Sequence, residues 1–358
     1  MRYELIELLI ALLILLAYYI VVWLKVGKDP PKRSIMPLYE VPEGLSPSAM
    51  RYIRQMCFDN QCFVASLIDM AIKGVIKIDE IDGFYTISRV KDTILTVEEY
   101  NILDGLLHGR NSIRIVKENE PLITFAWFAA RKYIEEKYKK QYFSTNRIFL
   151  VPGVLITIFT LAGTYPEALV WFIWISGWIF GIDSIISYTI NSWNLGGKPR
   201  VGCIILFLLP FIALMLFSLY IINSSEGLIF TLVLLITTIS HFIFYKLLPA
   251  PTKEGRAIQD KIEGFREYLS VAESDNLDPA IFEKFLPYAL ALDVELAWSR
   301  KFIDAFERTE QSLDKGGYTP MWYSGSMAGY DAGRFLAALY GSLSSALRES
   351  LKPIRGYD

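Results

Sequence analysis

Ionisable side chains inside a membrane-length apolar run are costly to place there, so each is a candidate for function by default. Two stand out, Asp183 within Ala168–Ile190 and His241 within Leu228–Leu248. Ser176 and Ser187 lie seven residues before and four after Asp183, within about 40° on a helical wheel. Thr237, Thr238 and Tyr245 stand at −4, −3 and +4 from His241. Brought together, Asp183 and His241 would line a proton or solute path. The plainer reading is a polar contact that locks two helices, or an Asp183 close enough to the interface to be hydrated. Opposite Asp183, Trp174 lies near Gly177-x-x-x-Gly181, a spacing that lets helices approach closely.

Other chemistry is sparse. The chain has two histidines, and His108 sits beside Gly109 at an expected helix end. No G-x-S-x-G, H-E-x-x-H, P-loop or paired C-x-x-C occurs, so no catalytic residue is assigned and neither a metal nor a cofactor is expected. Cys57 and Cys62 form a lone C-x4-C without a second pair, read as packed thiols, and Cys203 lies inside a span. No inverted repeat marks a transporter, and Pro210 reads as a simple kink.

The elements that would position these residues are apolar helices. Five stretches qualify: Leu5–Leu24, Ile148–Ala162, Ala168–Ile190, Val201–Ile222 and Leu228–Leu248. A spanning helix needs about 20 apolar residues, so the second is short. Lys25, Lys28, Lys32 and Arg33 follow the first, and Lys137, Lys139, Lys140 and Arg147 precede the second. Lys198 and Arg200 separate the third from the fourth, and Lys246, Lys253 and Arg256 flank the end of the fifth. The connections Gly163–Glu167 and Asn223–Gly227 hold no Lys or Arg. The positive-inside rule then places the N-terminus outside and both polar regions in the cytoplasm of a multi-pass cell-membrane protein. The first segment reads as an anchor: Glu4 and Glu7 offset Arg2, and its core ends without the Ala-x-Ala of a cleaved signal.

A hydrophobic content of 53% fits this layout. Residues Lys25–Arg147 carry 19 basic and 16 acidic side chains, and Pro249–Asp358 carries 13 and 17. Neither balance has the basic excess of a nucleic-acid binder. The expected domains are a transmembrane anchor over 1–24, a winged-helix-like cytoplasmic domain over 25–147, a four-helix transmembrane region over 148–248 and a helical cytoplasmic domain over 249–358.

Ser46-Pro47 makes a helix start. The next helix, about Asn60 to Lys73, carries Phe63, Leu67, Met70 and Ala71 and closes at Gly74. Val75–Asp79 alternates as a strand, Asp82-Gly83 signals a hairpin and Phe84–Ile87 returns. Helix, helix and two-stranded wing outline a winged-helix module. Five basic residues across Leu45–Val90 meet five acidic ones, three of them (Asp79, Glu80, Asp82) in or beside the wing. Phosphate neutralisation by Lys and Arg dominates DNA affinity, so DNA binding is disfavoured.

A helix from Thr96 closes at Gly109, and one over Thr124–Phe143 reads equally as interfacial or as core. Thr252 caps another helix reaching Ala272, and Asp278-Pro279 starts the next, which Pro287 should kink or end. Further helices follow over Val294–Phe306 and Asp331–Leu351, the last with Phe335, Leu336, Leu339, Leu343 and Leu347 along one stripe. Glu307–Tyr330 is polar and Gly-rich.

EGLSPSAMRYI, FVASLIDMAIKGVIKI and EEYNILDGLLHG resemble the first cytoplasmic part of the predicted membrane proteins catalogued as domain of unknown function 2207, the DUF2207 family. EGRAIQDKIEGFREYLSVAESDNLD, FEKFLPYALALDVELAWSRKF and WYSGS resemble its second part. The likeness covers about Val41–Val116 and Pro251–Ser326. It implies the same architecture and no catalytic residues. The family's usual layout adds an extracytoplasmic β-rich domain ahead of the first span, expected here to be absent or supplied by another chain.

The expectation is therefore a mainly α membrane protein with about five transmembrane helices. It would act as a polytopic scaffold or regulator, in contact with the lipid bilayer and with a protein partner or a second copy. A small transporter or channel using Asp183 and His241 is the leading alternative, and a membrane-tethered DNA-binding regulator the third.

Overall fold

The computed structural model describes all residues except 1, 29, 31–36, 91–93, 167, 195–224, 272–278, 311–319, 328–331 and 351–358. The fourth expected span, with Cys203 and Pro210, lies outside the described residues. Those described are mainly helical. In chain order the helices are α1 (Arg2–Val22), α2 (Pro47–Gln55), α3 (Asn60–Ile72), α4 (Val97–Leu107), α5 (Glu120–Tyr142) and α6 (Leu150–Thr164). There follow α7 (Ala168–Asn194), α8 (Ser225–Leu247), α9 (Lys253–Val271), α10 (Pro279–Ala291), α11 (Glu295–Glu310) and α12 (Ala332–Ser350). One sheet runs β3 (Ser112–Arg114), β2 (Phe84–Arg89), β1 (Ile76–Ile81), β4 (Tyr323–Ser324) from edge to edge.

The chain divides into two compact units. A bundle unit holds Met1–Asp29 and Ser144–Pro251, and an α/β unit holds Pro30–Phe143 and Thr252–Lys352. In the bundle, three helical stretches are long and apolar enough to cross a membrane: Tyr3–Gly27, Arg147–Thr164 and Ile229–Leu247. Ala168–Ser184 is a shorter apolar stretch at the start of α7. Leu8 and Leu12 of α1, Leu161 of α6, Phe172 of α7 and Val233 and Leu234 of α8 pack as one cluster. Most other apolar side chains of the first span face outward (Leu13 is 66% exposed), as a bilayer requires and water would not tolerate.

The α/β unit is built around α3. Asp59 caps it by accepting from the Cys62 amide at 2.9 Å. Every residue from Cys62 to Ala71 is buried, with α2, α10 and α12 packed against the helix. Gly74, at φ 71°, turns the chain into β1. Asp82 and Gly83 both take positive φ, the geometry that matches a two-residue hairpin to strand twist, and Ile78 faces Ile87 across it. Strand β3 pairs antiparallel with β2, and β4 pairs parallel with β1.

Thr96 and Glu99 form a reciprocal cap at the start of α4. Gly105 lets α4 approach α5 so closely that a Cβ there would overlap Ala126. Helix α5 turns Ile123, Ala126, Trp127, Ala130, Ile134 and Tyr138 inward at helical spacing, so it is a core helix. Thr252 caps α9 by accepting from the Gly255 amide at 2.9 Å, and Phe335, Leu339, Leu343 and Leu347 form the buried stripe of α12.

Helix α10 runs through Pro287 to Ala291, so of the kink or end expected there the end does not occur. Proline brings no N–H to the helix there, and the Trp298 indole of α11 donates to the Phe282 carbonyl of α10 at 3.2 Å. Cys57 is exposed, and only Cys62 is packed.

Candidate functional site

His241 sits where three helices meet. Its Nδ1 lies 3.4 Å from the Tyr19 hydroxyl of α1 and its Nε2 3.2 Å from Thr157 Oγ1 of α6. Tyr19 and Phe172 present ring edges at 5.5 and 5.6 Å. Thr157 spends its own proton on the Gly153 carbonyl at 3.2 Å, so it accepts from Nε2–H. Nδ1 then accepts from Tyr19, and one neutral tautomer satisfies the whole chain of donors. Tyr19 is fully buried and stacks on Phe244 at 4.6 Å. Gly153 admits its phenol, because a Cβ there would collide with the ring.

Asp183 is not brought to His241. Its Oδ2 lies 2.7 Å from Lys246 Nζ, an ion pair between α7 and α8. Ser176 and Thr238 donate to the carbonyls four residues back, at 2.7 and 2.9 Å. Thr237 is buried and lines, with Thr157 and Thr160, a cavity of about 20 Å³. The Tyr245 ring lies under the Arg147 guanidinium at 4.4 Å. Ser187 lies on α7, its side chain outside the described residues. Trp174 rests between Trp171 and Trp178, and Gly181 is half-buried. A Cβ on Gly177 would meet nothing within 4 Å, whereas one on Gly153 would collide with Tyr19.

The α/β unit holds three polar clusters that motif reading did not find. Arg51, 4% exposed, bonds Asp59 through two nitrogens, Asp293 at 2.8 Å and the Ala291 carbonyl at 2.9 Å. Burial works against the Asp59 carboxylate, but Arg51 and the Cys62 amide hold it below the usual carboxylate range. Glu98 accepts from Ser46 at 2.7 Å, from Ser66 at 3.0 Å and from Ser48. Beside it Lys73 bridges Asp69 and Glu99, at 2.7 and 2.8 Å.

The third cluster ties β4 to β1. Glu80 accepts from the Ser326 hydroxyl and amide at 2.6 and 2.8 Å, from Tyr323 at 3.1 Å and from the Gly83 amide at 3.0 Å. Ser324 bonds Asp79. Bonding to Ser326 holds Glu80 below its ordinary value, and Lys77 with Ser324 lowers Asp79 against its burial. A depressed carboxylate contributes stability above its unfolded value, near 4.3, and loses it as pH falls through the folded one. Exchange protection over residues 323–326 is therefore expected to fall on acidification below about pH 4. Glu80→Gln should remove about tenfold of that protection at neutral pH, since an amide nitrogen cannot accept. Hydrogen exchange by mass spectrometry checks both, and protection unchanged in the variant would contradict the clamp.

A family model described as predicted membrane protein (DUF2207), C-terminal domain, matches residues 36–302, most of the chain. The chain belongs to the DUF2207 family. No curated protein and no solved structure matches it. The DUF2207 match takes in α2 to α10 and the first half of α11, and therefore His241, Asp183, Arg51 and Glu98. The WYSGS run that supplies Tyr323, Ser324 and Ser326 lies beyond it.

Proposed function

We propose that this DUF2207 protein is a polytopic membrane scaffold or regulator that recruits a protein partner through its α/β unit. The observation that carries this reading is the joining of two distant segments. Arg51 and Arg54 of α2 reach Asp293 and Glu263 across the intervening bundle sequence. A unit so closed on itself, drawn from both polar segments of a membrane protein, suits holding a partner. Large apolar side chains stay exposed on its paired helices, Val97 and Tyr100 on α4 and Phe125 on α5, and offer contact area.

In this reading the chain spans the membrane about five times, with both flanking segments in the cytoplasm. The first of them is winged-helix-like over α2, α3 and the β1–β2 hairpin, and the second is helical. The helix that would enter a DNA groove is α3, whose buried face runs all round, and two of the three wing acids, Asp79 and Glu80, are engaged by Ser324 and Ser326. Both argue against the DNA-binding reading.

The transport reading is weakened by where the charges go. Asp183 is neutralised by Lys246, and His241 is saturated by two hydroxyls. Flux through the protein in proteoliposomes separates the readings. A scaffold gives no proton or solute flux above empty vesicles, and Asp183→Asn leaves partner capture intact. Flux that Asp183→Asn or His241→Ala abolishes would establish the conduit instead.

A further inference from the structure

The ends of three helices converge on Asn146. Its Nδ2 donates to the Val26 carbonyl beyond α1 at 2.7 Å and to the Leu248 carbonyl beyond α8 at 3.0 Å. Ser144 donates to its Oδ1 at 2.6 Å and fixes which way the amide points. Gly27 completes the junction, since a Cβ there would stand 3.2 Å from the Leu247 carbonyl.

This junction gathers cations that are distant in sequence. Lys25 and Lys28 flank Val26, and Arg147 follows Asn146 at the entry to α6. Lys246 is already committed to Asp183. Arg147 makes no ion pair among the described residues, and its guanidinium carbon lies 4.4 Å from the centroid of the Tyr245 ring. A guanidinium held over a ring keeps N–H donors for an anion, and its fork of donors matches a phosphate. Leu24, Ile148 and Leu247, each beside one of these cations in sequence, are 54%, 72% and 43% exposed.

We infer that this end of the bundle binds an anionic phospholipid, its phosphate on Arg147 with Lys25 and Lys28 beside it and its acyl chains along Leu24, Ile148 and Leu247. The apolar neighbours favour a lipid over a free anion, because all three helices that meet here are long enough to lie in the bilayer.

The test uses the full chain in nanodiscs of equal phosphatidylglycerol and phosphatidylcholine, released into detergent for native mass spectrometry. Retained phosphatidylglycerol should exceed phosphatidylcholine. Arg147→Gln should lower its retention about fivefold, each cation near an anionic surface being worth about 1 kcal/mol. Removing Lys25 and Lys28 as well should bring the loss to about a hundredfold. Lys25→Gln with Lys28→Gln, leaving Arg147 in place, gives an independent readout should the Arg147 variant fold poorly. Equal retention of the two lipids, retention unmoved by both sets of substitutions, or displacement of the lipid by excess inorganic phosphate would each overturn the assignment.

Discussion

Arg51→Ala is expected to destabilise the α/β unit by about 3 kcal/mol. The guanidinium is almost fully buried, and its hydrogen bonds reach two carboxylates and a carbonyl from separate parts of the chain. Deleting one member of such a set leaves the others desolvated and unpaired, which typically costs about 3–5 kcal/mol. The lower end applies because the Asp59 and Asp293 side chains keep 33% and 44% of their exposure, where water compensates in part. For a unit of this size each kcal/mol moves the midpoint by about 2–4 °C, so thermal unfolding should shift down by about 6–12 °C. Without Arg51, the burial of Asp59 is opposed by the Cys62 amide alone, and its titration should move up. A midpoint within about 2 °C of the parent would remove Arg51 from the account of how the segments are joined.

Trp298→Ala should cost more, about 4 kcal/mol. Its side chain has no exposed surface and lies among Tyr268, Phe285 and Phe302, the last at 4.8 Å between ring centroids. Truncation would empty the space between α9, α10 and α11, and such cavities collapse only in part. It would also remove the indole's hydrogen bond to the Phe282 carbonyl. Trp298→Phe separates the contributions: it keeps most of the packing and loses the indole bond, for a smaller loss of about 1–2 kcal/mol. Denaturant unfolding of the three proteins checks the order, and equal losses for Ala and Phe would contradict the packing argument.

Local signals in the sequence are strong where one physical cause acts alone. Ser46-Pro47, Thr96 with Glu99 and Asp82-Gly83 each specify their own turn or cap, and each forms as its residues dictate. The stripe from Phe335 to Leu347 is likewise legible, because helical spacing of apolar residues admits one inward face. Strand β4 is not legible: two residues in a polar, Gly-rich stretch carry no alternation, and side-chain bonds to Asp79 and Glu80 hold them. Pro287 misleads because packing of α10 against α3 and α11 outweighs the local cost of a proline inside a helix.

The polar residues of the bundle are legible by type and not by partner. Asp183 could have paired with His241 or made a polar contact of its own, and its carboxylate makes an ion pair with Lys246. Tyr19 and Thr157 carried no signal, since a Tyr or Thr within an apolar helix has many ordinary uses.

The most direct test of the scaffold is in-membrane crosslinking of the full-length chain, followed by mass spectrometry. The account predicts a reproducible protein partner joined through lysines of Pro30–Phe143 or Thr252–Lys352, retained in Asp183→Asn and lost in Trp298→Ala. Recovery of nothing but crosslinks within one chain, together with Asp183-dependent flux, would contradict it.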